Sequence, residues 1–209
     1  GPRSGEASAT PSGLVAPAEP LPVVDGFDRP DENPLSDGGR WANGVIGSGE
    51  RGLRVLSGQL ASGKSTTTTA WRRDAQRGPD AEAWATVAAL PGNGNAFRLY
   101  VRLQSPGSSA VDGYMLLYAQ ASGSDRLTLY RITNGASASL GAADREIAAG
   151  AVLLLRAKGS ALEAWVREGG AWTRVLRLLD ASYPGAGDVG VGIRGKTGRL
   201  DDFGARTLP

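Results

Sequence analysis

The sequence predicts an all-β protein in which two antiparallel sheets pack face to face behind an extended Pro-rich arm. Short apolar runs with period-two alternation begin near Asp25, and Gly, Asn, Ser or Pro interrupts them about every ten residues. Seven of the 12 prolines fall within residues 1–34, a composition that buries too little surface to order itself. No stretch sustains the 3.6-residue apolar period of an amphipathic helix.

The arm comes first, over residues 1–24, and the domain follows over residues 25–209. A Pro-rich arm of this kind is expected to be held by a partner surface, such as a protein lattice. Phe97 to Leu103 alternates apolar and polar-tipped positions and predicts a half-buried strand. Further strands are predicted over Trp84–Leu90, Gly113–Gln120, Arg126–Thr133, Ala151–Lys158, Ala161–Arg167, Trp172–Leu179 and Val189–Arg194. Asn134-Gly135, Gly159-Ser160 and Gly169-Gly170 separate several of them, and such dipeptides supply the positive φ values of tight hairpins. Ala142–Ala149 and Val175–Leu179 have some helical propensity but no helical period. The total of ten to fourteen strands is too many for one open sheet and suits a sandwich.

Composition narrows the chemistry. The 209 residues contain no Cys and no His, so thiolate and imidazole metal sites, disulfides and His-based catalytic pairs are excluded. The formal net charge of +2 comes from 23 cations spread among 21 acids, which gives no basic stripe for nucleic acid. No apolar run approaches the roughly 20 residues of a spanning helix, so a soluble chain without membrane contact is expected. The Gly-Pro-Arg-Ser start without Met suggests a processed product or a fragment.

Gly58 to Ser65 satisfies the P-loop expression, yet a β-branched Thr run follows Lys64 where that motif requires a helix. A Gly-Ser turn between strands is the better reading.

Two terminal segments carry a family signature. Asp25-Gly26-Phe27-Asp28-Arg29-Pro30-Asp31-Glu32-Asn33-Pro34-Leu35 with Gly39-Arg40-Trp41 opens the domain, and Gly187-Asp188-Val189-Gly190-Val191-Gly192-Ile193 with Leu200-Asp201-Asp202-Phe203 closes it. The pair resembles bacterial and bacteriophage domains of the concanavalin A-like lectin/glucanase superfamily, the laminin G-like jelly rolls. The resemblance implies a jelly-roll sandwich whose first and last strands adjoin, with Phe27 and Phe203 both inside. Gly190 and Gly192 leave one strand face bare for the close approach of a sheet, loop or ligand. A structural Ca2+ near the terminal strands is also implied, with Asp25, Asp28, Asp201 and Asp202 as oxygen ligands.

Glucanases of this superfamily need paired carboxylates about 5 Å apart, and no matching Glu-x-Asp spacing occurs in the chain. A non-enzymatic domain is therefore expected, without an organic cofactor. Arg98, Tyr100 and Arg102 alternate on one strand as a hydrogen-bonding and CH–π surface for sugar, with Tyr118, Tyr130 and Trp165 on neighbouring strands. Trp71-Arg72-Arg73 offers an aromatic beside two guanidiniums for an anionic glycan or carboxylates. Trp41, Trp71, Trp84 and Trp172 are otherwise placed at strand ends, covering the core edge.

These features point to a lectin-like structural or binding module on a virion surface or outside the cell. The first form is a bacteriophage component, a capsid decoration or tail-associated protein anchored to virion or other surface proteins through residues 1–24. The alternative is a secreted or cell-surface carbohydrate-binding module recognising glycans; a glycoside hydrolase ranks below both. Homo-oligomerisation is left open.

Overall fold

The computed structural model describes residues 15–44, 46–74 and 76–209. Among the described residues there are fifteen strands: β1 (Val23–Asp25), β2 (Trp41–Asn43), β3 (Leu53–Leu56), β4 (Gln59–Ser62), β5 (Thr67–Arg72), β6 (Ala81–Ala89), β7 (Ala96–Gln104), β8 (Asp112–Ala119), β9 (Arg126–Thr133), β10 (Ala136–Asp144), β11 (Val152–Lys158), β12 (Ala161–Glu168), β13 (Ala171–Leu179), β14 (Asp188–Arg194) and β15 (Arg199–Thr207). They form two antiparallel sheets. Sheet I runs β13-β12-β11-β6-β15-β4-β3 with β1 added to β15, and sheet II runs β10-β9-β8-β7-β14-β5-β2.

Period-two alternation drives this arrangement. Phe97, Leu99 and Val101 of β7 and Leu153, Leu155 and Ala157 of β11 turn inward into one core between the sheets. Phe27 and Phe203 are both fully buried there, and Trp41 joins them, its ring centroid 5.0 Å from that of Phe203. The expected pairing of the first and last strands is present, because β1 lies against β15. Asn134 and Gly135 have φ of 48° and 76°, and Gly169 and Gly170 have 56° and 82°, as two-residue hairpins require.

Neither segment with helical propensity is helical. Residues 142–144 end β10, paired with β9, and 145–149 follow outside any strand, while Val175–Leu179 lies in β13, paired with β12, where ladder pairing overrides local preference. The P-loop-like segment is β4 followed by bends at 63–66, and Lys64 pairs with Glu50. The bare face at Gly190 is filled by a loop: a Cβ there would stand 3.0 Å from Ile46 Cδ1.

The described part of the arm lies against the domain's own sheet I. Val15 O accepts a 2.7 Å hydrogen bond from Arg156 Nη1, and Glu19 Oε1 accepts one of 2.9 Å from Trp172 Nε1. Leu21 packs on the cluster of Trp84, Val152, Leu154 and Trp165. Residues 1–14 of the expected arm lie outside the described residues.

Candidate functional site

The residues singled out from the sequence do not converge. Arg98 and Tyr100 share the outer face of sheet II, opposite Gly192 and Gly190 of β14. Tyr100 is sealed among Ile46, Leu103, Val111 and Met115, and burial pushes its phenol up to about 12. Burial likewise draws Arg98 below its ordinary value, and its Nη1 is buried without a hydrogen-bond partner. Trp71 packs against the same cluster as Tyr100.

Arg102 leaves that face, which corrects the expected alternation. A register shift lies between Val101 and Gln104, and Arg102 adopts φ 53°; a bulge redirects the side chain. Its guanidinium binds the carbonyls of Pro79, Tyr183 and Gly159 and fastens three loops. Arg72 is corrected in the same way: it is 2% exposed, lies over the Trp41 ring at 5.2 Å and pairs with Asp37 and Asp74. Arg73 is exposed, so Trp71, Arg72 and Arg73 do not form one grip. Tyr118 is in the core, donating to Asp125, while Tyr130 packs beside Tyr100. Trp165 is fully buried on the opposite sheet.

Asp25, Asp28 and Asp202 are charged neighbours of Asp201 at the junction of the terminal strands, where the sequence places a possible Ca2+. Among the described residues no three His, Cys, Asp or Glu side chains stand close enough to hold an ion. Asp25 already accepts from Phe27 N and Arg29 through Oδ1 and from Trp41 Nε1 through Oδ2, at 2.7–2.8 Å.

The densest chemistry lies on the outer face of sheet I. Strand register sets Arg177 of β13 opposite Glu163 of β12, Glu163 opposite Arg156 of β11, Arg156 opposite Glu82 of β6 and Glu82 opposite Arg206 of β15. The result is a row of alternating charge across five strands. Glu82 is fully buried and accepts from Arg156 and Arg206. Glu163 accepts from Arg174 at 2.8 Å, Trp165 Nε1 at 2.9 Å and Arg156 at 3.3 Å, with Arg177 Nε 3.5 Å away.

A second row beneath it carries Arg174, Trp165, Leu154, Trp84 and Gly204. Gly204 is required here, because a Cβ would stand 2.2 Å from the Trp84 indole. Arg156 and Arg174 lie over the Trp165 ring at 5.4 and 5.7 Å, and Arg206 over Trp84 at 5.6 Å. Trp84 and Trp172 thus belong to this outer face and not to the core edge, which corrects their expected placement. Over the charge row opens a groove of about 540 Å³. Val15, Ala16, Ala18, Leu208 and Pro209 line it with apolar surface, and Ala161 lines it together with the charged side chains.

Sequence reading missed this assembly. The signal that could have found it is the alternation of Glu82 with Trp84, Leu154 with Arg156 and Glu163 with Trp165, each two apart and therefore on one face.

No family model matches the sequence, and no curated protein matches it. Solved structures do. The carbohydrate-binding module CBM66 from Bacillus subtilis superposes with a TM-score of 0.63 at 14% identity, covering 80% of this chain and 96% of that one. The exoplasmic/lumenal domain of VIP36, in a Ca2+- and Man3GlcNAc-bound form, gives 0.61 at 12% identity, with 86% and 88% covered. A legume lectin-like domain from Entamoeba histolytica gives 0.57 at 9% identity, with 85% and 96% covered. The chain has the concanavalin A-like jelly-roll fold.

Proposed function

We propose that this domain is a non-enzymatic, lectin-like module that binds carbohydrate through the groove on sheet I. The observation that carries the reading is the groove itself, with apolar walls over a floor of guanidiniums and a carboxylate. Sugar sites combine such apolar contact with a few fixed polar groups. The floor carboxylate of Glu163 and the buried one of Glu82 in the same row are occupied by guanidiniums, which suits orienting a ligand better than proton transfer. The fold's likeness to a carbohydrate-binding module and to lectin-like domains supports the same reading.

The setting that suits this function is extracellular, within a secreted or cell-surface protein. Anchoring on a bacteriophage virion draws no support from residues 15–22, which lie on the domain's own sheet.

Ala161→Trp fills the groove floor and tests the site. On an immobilised panel of neutral and acidic glycans, wild type is expected to bind and the variant to lose at least about tenfold in affinity with its melting temperature retained. A wild-type chain that binds nothing on the panel overturns the carbohydrate reading. A second surface is suggested by the unpartnered Nη1 of Arg98: loss of binding in Arg98→Ala, with Ala161→Trp unaffected, would move the site to sheet II.

A further inference from the structure

The charge row on sheet I does not balance, and the imbalance names a ligand class. Arg156, Arg174, Arg177 and Arg206 share two carboxylates, Glu82 and Glu163. The row begins and ends on a cation. Lys158 adds another at the groove, where its Nζ donates to the main-chain oxygen of Pro209 at 3.2 Å.

Both carboxylates are saturated. Glu82 gives one oxygen to Arg156 and the other to Arg206, and Glu163 is ringed by three guanidiniums and the Trp165 indole. Donor capacity is left over on the groove side. Arg177 reaches Glu163 through Nε and Arg174 through Nη1, and among the described residues Nη1 and Nη2 of Arg177 and Nη2 of Arg174 hydrogen-bond to no carboxylate. Their side chains are 47% and 29% exposed, accessible to a ligand yet held in position.

The bulge in β13 explains why two guanidiniums three residues apart cooperate. The register shift beside Ala164 and Trp165 brings Arg174 and Arg177 to the same carboxylate oxygen. A guanidinium fork matches a planar carboxylate or the edge of a sulfate in bidentate fashion. Apolar walls formed by Val15, Ala16 and Leu208 lower the local dielectric and strengthen such a pair.

We infer that the groove selects an anionic sugar, its acidic group held by Arg174 and Arg177. This inference rests on the carbohydrate reading of the same groove and adds the substrate class. The shared chemistry is an oxyanion on a sugar ring, carboxylate or sulfate.

The test is a panel of immobilised oligosaccharides carrying uronate, sialate, sulfate or no charge, probed with the full chain as wild type and as the double variant Arg174→Gln/Arg177→Gln. Calorimetry then compares the strongest acidic sugar with its neutral counterpart, the methyl ester for a carboxylate or the desulfated form for a sulfate. Both arginines lie on edge strand β13, so the variant is expected to keep its melting temperature.

The expected result is acidic sugar bound about tenfold or more tightly than its neutral counterpart, the effect of one hydrogen bond between charged groups. That preference should weaken with salt and vanish in the double variant. Preference for uronates and sialates, or for sulfates, identifies which oxyanion is bound.

Equal binding of acidic and neutral forms, or a preference that survives in the double variant, overturns the inference while leaving the carbohydrate reading in place. No binding to any sugar overturns both. An acidic peptide bound as tightly as the best acidic sugar would reassign the groove to protein carboxylates.

Discussion

Asp201 lies opposite Thr86 at the junction of β15 and β6, with Asp202, Asp28 and Asp25 as charged neighbours. Burial first, and those acids next, raise its pKa above the ordinary aspartate value. A carboxyl raised in the folded state favours folding while protonated, and that contribution is lost as pH rises through the folded value. At neutral pH the charge is therefore a burden. Asp201→Asn keeps the acceptor for Asp202 N and removes the charge. The expected result is a melting temperature about 2 °C higher near pH 7, with no difference below the unfolded pKa of about 3.9. Calorimetric scans at both pH values decide it, and an equal gain at both would show that charge is not the cause. Arg102 and Arg72 show what single-residue reading misses. Each looked like part of an open surface, but a bulge with φ 53° at Arg102 and the Asp37–Asp74 pair around Arg72 turn both guanidiniums to internal work.

The arm functions as a strap at the level of elements. Leu21 covers the Trp84 and Trp165 cluster, Glu19 caps the Trp172 indole, and Val15 accepts from Arg156. Removing residues 1–22 leaves β1 in place but wets Trp84 and Trp165, which are 1% and 0% exposed. Losing one covering Leu costs about 2 kcal/mol, so the melting temperature should fall by about 4–8 °C and tryptophan emission should shift to the red. Unchanged melting and emission would mean that the strap covers nothing. Most strands were legible because each has one face in the core, so the period of two is written into the residues themselves. Phe97 to Leu103 and Ala161 to Arg167 are examples. The ligand groove was not legible in the same way. Its floor needs the register between β13, β12, β11, β6 and β15, and β6 and β11 lie about seventy residues apart in the chain. Alternation within a strand says which residues share a face, and register between strands says which of them meet.

For the molecule as a whole, β15 is the closing piece. It lies between β6 and β4 inside sheet I and also carries β1, so one C-terminal strand contacts three earlier ones. Phe203 brings the last aromatic into the core against Trp41. Without β15 the facing edges of β6 and β4 lose their partner, β1 has nothing to pair with, and the cavity left by Phe203 and Leu200 opens the core. Truncation of a large buried side chain alone costs roughly 3–5 kcal/mol, a large part of the 5–15 kcal/mol by which a domain is stable. A chain ending at Gly198 is therefore expected to lack a cooperative unfolding transition, and its amide spectrum should be poorly dispersed. Because β1 and β15 pair across nearly the whole sequence, refolding of the domain should be slow, in the millisecond-to-second range of non-local β proteins. A truncated chain that still melts cooperatively would show that sheet I closes without β15, and the β6–β11–β12–β13 half would then be the true folding unit.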